Sequence, residues 1–376
     1  MSAAGIVFSN IHDDCISELT RVRTMASVPF GGKYRLVDFP LSNMVNSNIY
    51  NIKIITHYNY HSLMDHIGSG KEWDLARRNG GVKILPPFIT AYANRENSLY
   101  TTRLEALQSV SASLDEIEDE YVVMSDCDII CNINLRDIIN SHISSGADMT
   151  VAVKSEILTD KQAAKSIIFR ADDENRITDV LSFPEEYSGH GYVWMNIIVM
   201  SKQKLMSTIL DSTAHNYRSL IQDIIAKRLK KENYRIFEYE GYFGQIKSIT
   251  EYYRENMSMI KNNSARELFT RQHSPIYTST PETSPTYYGP SSSVKSSMIS
   301  DGCTIEGRVE NSILFSGVKI GKNTTVKNSI IFEDTVVSGN VKLNCVIADK
   351  NVVIREGRVL SGHETAPFYI EKNKMI

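Results

Sequence analysis

The sequence predicts an α/β domain built on a mostly parallel sheet, followed by a parallel β-helix of hexapeptide rungs. Three observations carry this. Short apolar runs alternate with helical patterns across residues 1–273, the signature of a sheet whose strands are joined by helices. At Ser274 the composition turns abruptly to Pro, Ser and Thr, and it stays so to Ser293, as in a surface linker. From Val294 to the end, residues 294–376, aliphatic side chains recur every five or six positions, the period of hexapeptide rungs.

Taken in order, Ala3–Phe8 is the opening strand. Ile52–Thr56, Tyr121–Ser125 (ending at Asp126-Cys127-Asp128) and Met149–Val153 follow as strands, with helical spacing around Leu41–Val45, Arg103–Leu114 and Leu135–Ser144. Ile177–Phe183, Val193–Met200 and Arg235–Glu240 add three strands, with helices at Leu205–Leu210 and Ser219–Lys231 between them. An amphipathic helix, Thr250–Lys261, closes the domain. In such sheets ligands sit beyond the carboxyl ends of strands, so the turns after Phe8, Thr56 and Met124 are the places to look for chemistry. In the repeats, Val294, Ile299, Ile305, Val309, Ile313, Val318, Val326, Ile331, Val336, Val341, Ile347 and Val352 are expected to point inward. Each would stack on the residue one coil away, so that no rung is stable alone. A β-sandwich of short strands would not sustain that period.

Size and composition exclude several classes. The 376 residues suffice for two domains. A net charge of −3 lacks the basic excess of a nucleic-acid binder. No apolar run approaches the ~20 residues of a membrane span, and the N-terminus lacks the features of a signal peptide. The five cysteines are odd in number and scattered, which suits reduced thiols in the cytoplasm. Cys127 and Cys131 are not accompanied by a second pair or a His motif that would complete a zinc site. The chain is thus expected in the cytoplasm, with neither nucleic acid nor membrane as a partner.

The most distinctive stretch is Ser27–Asn48. It contains a tight Gly31-Gly32 turn, Lys33 and Arg35 beside Asp38, and a helix start at Ser42-Asn43. Glycines permit close backbone approach, and a neighbouring lysine offers a cation beside the freed N–H groups, as an anion site needs. A plain hairpin turn, with Lys33 and Arg35 as ion-pair partners of Asp38, is the structural alternative. The run resembles, nearly residue for residue, the segment that follows the nucleotide loop in the ADP-glucose pyrophosphorylases (glucose-1-phosphate adenylyltransferases). With the repeats, the resemblance covers essentially the whole chain. It implies a Rossmann-like nucleotidyltransferase domain followed by a left-handed parallel β-helix.

That family transfers an adenylyl group from ATP to glucose 1-phosphate. The chemistry needs a Gly-rich loop around the triphosphate, cations to offset its charge and carboxylates to hold Mg²⁺. The matching positions here are altered. The family's Gly-Gly-x-Gly-Thr-Arg-Leu falls on Asn10-Ile11-His12-Asp13-Asp14-Cys15-Ile16, without a glycine. Asp13 and Asp14 are expected to face the phosphate region and repel a polyphosphate, each by about 1–4 kcal/mol at 4 Å. Arg-Ala-Lys-Pro becomes Arg23-Thr24-Met25-Ala26, so the lysine is Met25. Gly-Thr-Ala-Asp becomes Thr102-Arg103-Leu104-Glu105, placing bulk where the base needs small residues. Gly-Asp-His-Ile-Tyr becomes Cys127-Asp128-Ile129-Ile130-Cys131, leaving Asp128 as a remnant metal ligand, with Asp126 one position off as fallback. An Asp at a strand's carboxyl end is also a common helix cap. Glu-Lys-Pro becomes Ser182-Phe183-Pro184, so Phe183 replaces the lysine that holds the sugar phosphate. Trp-Arg-Asp-Val-Gly-Thr becomes Phe243-Gly244-Gln245-Ile246-Lys247-Ser248, putting a neutral amide, Gln245, at the second metal ligand.

By contrast Phe30–Asn48, Thr56-His57-Tyr58, His66-Ile67-Gly68 and the repeats are intact. The resemblance therefore points to the non-catalytic, regulatory (GlgD-type) subunit of the family. It implies a heterotetramer with a catalytic subunit that makes ADP-glucose for glycogen, no cofactor for this chain, and Mg²⁺ in the partner. Lys33 and Arg35 become the effector-binding residues, for a phosphate or sugar phosphate. The rivals are an active nucleotidyltransferase with atypical residues and a sugar-phosphate sensor without a partner. A hexapeptide acyltransferase fits poorly, because the repeats carry no protruding loop with a His base and His363 lies only at their end.

Overall fold

In the computed structural model, which describes residues 2–86, 100–279 and 282–376, the chain forms two compact units. The first comprises residues 1–11, 39–243 and 272–277; the second comprises 12–38, 244–271 and 278–376.

The first unit is a nine-stranded sheet. Ala3–Phe8 lies between Asn51–Ile55 and Tyr121–Asp126, parallel to both, and Gly81–Leu85 extends the parallel half. Ala3–Phe8 and Tyr121–Asp126 are buried almost throughout, with mainly apolar residues, because both faces of the sheet are covered there. On the other side of Tyr121–Asp126 the long strand Gly189–Ser201 runs antiparallel. A bulge between Trp194 and Ile198 lets the same strand pair with Met149–Leu158, and it also meets Ile167–Ala171. Tyr234–Glu238 pairs parallel to Met149–Leu158, and Ile177–Ser182 pairs antiparallel to Ile167–Ala171. The helix Asp38–Asn46 packs at Gly5, whose missing Cβ leaves room for the Met44 thioether.

The sequence pattern places most of the buried strands to within a residue or two, but Met149–Val153 runs on to Leu158, where Lys154-Ser155-Glu156 breaks the apolar run, and two strands with charged residues are missed. Gly81–Leu85 carries Lys83 and Ile167–Ala171 carries Arg170, so neither reads as an apolar run. Gly189–Ser201 begins four residues before its predicted start, because Gly189-His190-Gly191-Tyr192 has no apolar signature. The predicted helix Arg103–Leu114 breaks at Val110 into Arg103–Ser109 and Ser111–Asp115. Within Ser219–Lys231, Leu220–Ala226 is wound as a π-helix.

In the second unit, three five-stranded parallel sheets form the faces of a β-helix. Along one face Val309 pairs with Val326, Val326 with Leu343 and Leu343 with Leu360, so one coil takes seventeen residues. The interior is a stack of Ile305, Val309, Val318, Val326, Ile331, Val341 and Val352, as the period predicts. Ile313, Val336 and Ile347 do not join it; Leu314, Val337 and Ala348 take the inward places. Ile313 and Ile347 are buried nonetheless, because the outside of the coil is itself covered. Phe315 and Phe332 stack edge to face on that outer side, with Tyr252 of the helix Ile249–Lys261 against Phe332. The coil begins earlier than Val294: Tyr287–Tyr288 is already a strand, paired to Thr304–Ile305, inside the stretch read as linker. Thr280 and Pro281 of that stretch lie outside the described residues. Among the described residues no helix is long and apolar enough to cross a membrane.

Candidate functional site

At the carboxyl end of Tyr121–Asp126, in the first unit, stand the two carboxylates singled out from the sequence. Asp126 and Asp128 are both buried, with oxygens within 4.8 Å of each other. Two like charges so placed need a counter-charge. Arg103 supplies it. Its Nε donates to Asp126 Oδ1 at 3.0 Å and Nη2 bonds to Oδ2, a bidentate ion pair. The guanidinium also lies over the ring of Trp194, 4.6 Å from its centroid. Thr102, the helix N-cap, closes a capping box with Glu105 and thereby fixes the start of the helix that carries Arg103.

Asp128 is met from the other side. Asn196 donates through Nδ2 to both of its oxygens, at 3.1 and 3.0 Å. Asn196 has φ 56° and lies at the bulge of Gly189–Ser201, a conformation that asparagine tolerates better than most side chains. An Mg²⁺ ion asks for oxygen lone pairs in near-octahedral array. Here a guanidinium and an amide already direct N–H groups at those lone pairs. Those N–H groups compete with a divalent metal for the carboxylate lone pairs. Cys127 and Cys131 are also buried, and burial pushes the Cys131 thiol up to about 12, far from the thiolate a metal would need.

The intact motif residues of this unit serve as braces. Asn43 Nδ2 donates to the Cys131 carbonyl at 3.1 Å, and Asn43 Oδ1 accepts from Ile133 N–H at 3.1 Å. Leu135 N–H donates to Ser47 Oγ at 2.8 Å. His57 packs on Tyr58 and Tyr100, and His66 on Trp73. Phe183 is half exposed with φ 52°, its N–H donating to the Ser166 carbonyl at 2.9 Å. A bulky aromatic in that region of φ is a strained residue.

In the second unit, the expectation that Asp13 faces phosphate is overturned. Asp13–Ile16 is a 3₁₀ turn and Asp13 is buried, while Asp14 is exposed. Asp13 Oδ1 accepts the Met25 N–H at 2.6 Å; Oδ2 has no hydrogen-bond partner. Burial pushes the carboxyl up to about 8, against the lowering effect of the Met25 bond, so the side chain is mostly protonated at neutral pH. Met25 is buried and packs rather than presenting a charge. Arg23, the retained member of its motif, is buried and pairs with Asp349 of the β-helix at 2.7 Å. Tyr369 donates to the other Asp349 oxygen at 2.8 Å, and Arg23 Nη1 is without a partner. Beside them Lys350 and Glu333 pair at 2.7 Å. Burial alone would push Glu333 up, but Lys350 and the Arg35 charge hold it below the ordinary range.

The Gly31-Gly32 turn has φ 59° and 90° and is held on both sides. Asn256 accepts the Gly31 N–H at 2.9 Å, and Ser300 Oγ donates to the Gly32 carbonyl at 2.8 Å. Next to the turn is a cavity of about 380 Å³ lined by Lys33, Tyr34, Phe269, Ser300, Asp301 and others. Tyr34 and Phe269 stack at 4.6 Å, with Lys33 Nζ 5.1 Å from the Tyr34 ring centroid. Arg35 is not on this lining. Its N–H donates to Asp38 Oδ2 at 2.9 Å, and its guanidinium reaches the Ser27 carbonyl at 3.4 Å. Gln245 lies in a two-residue strand, Gly244–Gln245.

Two family models match the chain. Residues 16–257 match the nucleotidyl transferase family and residues 286–366 the GlmU-like C-terminal hexapeptide family. The glycogen biosynthesis protein GlgD of Bacillus subtilis (strain 168) is 31% identical over 98% of this chain and 95% of its own length. A glucose-1-phosphate adenylyltransferase of Fervidobacterium nodosum is 32% identical over 98% of this chain and 88% of its own. That of Thermotoga neapolitana is 34% identical over 82% and 72%. The chain belongs to the glucose-1-phosphate adenylyltransferase family. The likeness to GlgD spans both units, and the hexapeptide match makes the coil a left-handed β-helix.

Within the glucose-1-phosphate adenylyltransferase family, then, this chain carries a guanidinium and an amide on its two strand-end carboxylates. Sequence reasoning reached the position of Arg103 but read it only as bulk, and it missed Asn196 altogether. The available signal was a lone polar Asn inside the apolar run Val193–Met200.

Proposed function

We propose that this chain is a non-catalytic, regulatory subunit of a glucose-1-phosphate adenylyltransferase. In this reading it acts in the cytoplasm, in a heterotetramer with a catalytic subunit that binds the Mg²⁺ and makes ADP-glucose for glycogen. The observation that carries the reading is that both strand-end carboxylates are engaged by fixed N–H donors, Asp128 by Asn196 and the fallback Asp126 by Arg103, where adenylyl transfer would call on lone pairs. The absence of a glycine loop, and the presence of Met25, Phe183 and Gln245 at the positions of the family's catalytic lysines and second metal ligand, support it. Its contribution to the partner is a shift between active and inactive populations, for which a coupling of about 1–3 kcal/mol gives a 5- to 150-fold effect. Lys33, on its cavity, is the effector contact in this reading, for a phosphate or sugar phosphate; Arg35 supports the turn.

The test is ADP-glucose synthesis by the pure chain, and then by the chain mixed with a catalytic homologue from the same organism. No activity alone and a raised rate or lowered substrate requirement in the mixture is the expected result. Lys33→Ala should leave assembly intact and blunt the mixture's response to fructose 1,6-bisphosphate or inorganic phosphate. Robust synthesis by the pure chain would overturn the proposal and favour an active enzyme with atypical residues.

A further inference from the structure

The second unit holds another cleft, larger than the one at Lys33 and formed by none of the motif residues. Its volume is about 650 Å³, within the ~300–1,000 Å³ of small-molecule sites. One wall is a single stripe of the helix Ile249–Lys261: Thr250, Tyr253, Arg254, Met257, Ser258 and Lys261. Spacings of three and four put these on one helical face, and at 1.5 Å per residue the stripe runs about 16 Å. The opposite wall is the turn closed by the His363–Ala366 bridge, contributing Glu364 and Thr365. Asn262 and Asn263 close one end.

The wall chemistry is specific in kind. Tyr253 and Met257 are buried and form an apolar floor. Around it stand hydroxyls, amides, two cations and a carboxylate, which offer donors and acceptors in mixture. The charges are already balanced: Arg254 pairs with Glu255 at 3.4 Å and Lys261 with Glu364 at 3.8 Å. A phosphate would find no surplus positive charge here. A neutral ligand with many hydroxyls and apolar ring faces would find both kinds of surface it needs. The shape is also held open by design: Thr250 Oγ1 donates to the Thr365 carbonyl at 3.0 Å, and Tyr253 Oη to the Asn328 carbonyl at 2.6 Å. The first bond ties the helix to the turn, and the second ties the helix to the coil at Asn328.

We infer that this cleft binds a neutral, polyhydroxylated ligand, a short oligosaccharide lying along the helix stripe. The site is separate from the Lys33 cavity, sharing no lining residue with it. It would let the chain sense or hold a carbohydrate independently of any anionic effector.

The experiment is calorimetric titration of the full chain with maltoheptaose and cellohexaose, set against glucose 1-phosphate and fructose 1,6-bisphosphate. Ser258→Trp fills the cleft, and Arg254→Ala with Lys261→Ala strips its rim; all three positions are at least partly exposed, and a thermal melt checks folding. The expected result is binding of at least one neutral oligosaccharide, weakened tenfold or more in both variants, with Lys33→Ala unchanged. If a variant melts early, protection of Arg254 from phenylglyoxal by the oligosaccharide in the unmodified chain gives the same answer. Absence of oligosaccharide binding at millimolar concentration, binding unaffected by both variants, or binding of the phosphorylated sugars alone at this cleft would each overturn the inference. None of these outcomes bears on whether the chain regulates a catalytic partner.

Discussion

Replacing Asp13 with asparagine should remove a defined part of this protein's pH dependence. Asp13 is folded with its carboxyl at about 8, against an ordinary value of 3.8. Between those two values the native state holds a proton that the unfolded state has released. Stability therefore falls as pH rises through that window, by up to about 1.4 kcal/mol per unit for one group. It is fully present below pH 3.8 and lost as pH passes 8. From pH 5 to 7.5 the loss amounts to about 3 kcal/mol. Asp13→Asn keeps an oxygen for the Met25 N–H and adds no charge, so its own stability should be flat over that span. The variant's margin over the parent should therefore grow by about 3 kcal/mol between pH 5 and pH 7.5, whatever offset separates the two at pH 5. The assay is urea unfolding by circular dichroism at half-unit pH steps, read as the difference between variant and parent. That difference cancels the titration of other groups except His12 and Asp14, the charges that act on Asp13. Parallel pH curves for the two proteins would refute a buried, protonated Asp13.

Other perturbations test the rest of the charge arrangement. Arg103→Met leaves Asp126 and Asp128 buried side by side without their cation, and should cost about 3–5 kcal/mol. Millimolar Mn²⁺ should raise the melting temperature of that variant and leave the parent unchanged; an equal rise in both would show that the carboxylates accept metal with Arg103 in place. Arg23→Met should likewise cost about 3–5 kcal/mol, because Asp349 loses its partner in a dry site. Arg23→Met combined with Asp349→Asn should cost clearly less than the two single changes added together; simple additivity would mean that the pair is not coupled.

Much of the fold was legible because it depends on period. The β-helix announces itself through aliphatic spacing, and its boundary was misjudged only at Tyr287–Tyr288, a strand whose side chains are exposed and which lies in a Pro-rich setting. The inward set was partly misassigned for a physical reason. Ile313 and Ile347 are apolar because a helix and a turn cover the outer face, and a sequence period cannot tell inner burial from outer burial. The unit boundaries were less legible still. Residues 12–38 and 244–271 group with the repeats, which no local pattern reveals, since Arg23 with Asp349 and Tyr252 with the Pro29 carbonyl are long-range pairings. At the site, the altered positions could be read from the residues, but not what the substitutes do. Asp13 reads as an acid facing the phosphate region and is a buried hydrogen-bond acceptor; Arg103 reads as bulk and is a counter-ion.

These substitutes satisfy one another, and that bears on whether activity could be regained. Arg103 neutralises Asp126, Asn196 supplies donors to Asp128, and Asp13 accepts the backbone N–H of Met25. Random decay of a site would leave buried polar atoms orphaned, at about 1–3 kcal/mol each. Here Asp13 Oδ2 is such an atom, while Arg103 and Asn196 are both bonded to the strand-end carboxylates. Reverting Gln245 to aspartate would add a carboxylate but leave Arg103 on Asp126, and reverting Met25 to lysine would bury a charge where a methionine now packs. Each single reversion therefore meets a partner adapted to the present residue. Reversions should be strongly non-additive: singly they destabilise without restoring synthesis, and activity can return only when Arg103 and the loop at 10–16 are changed together with Met25, Phe183 and Gln245. Measurable ADP-glucose synthesis from Gln245→Asp alone would show that the carboxylates were never engaged as the structure has them.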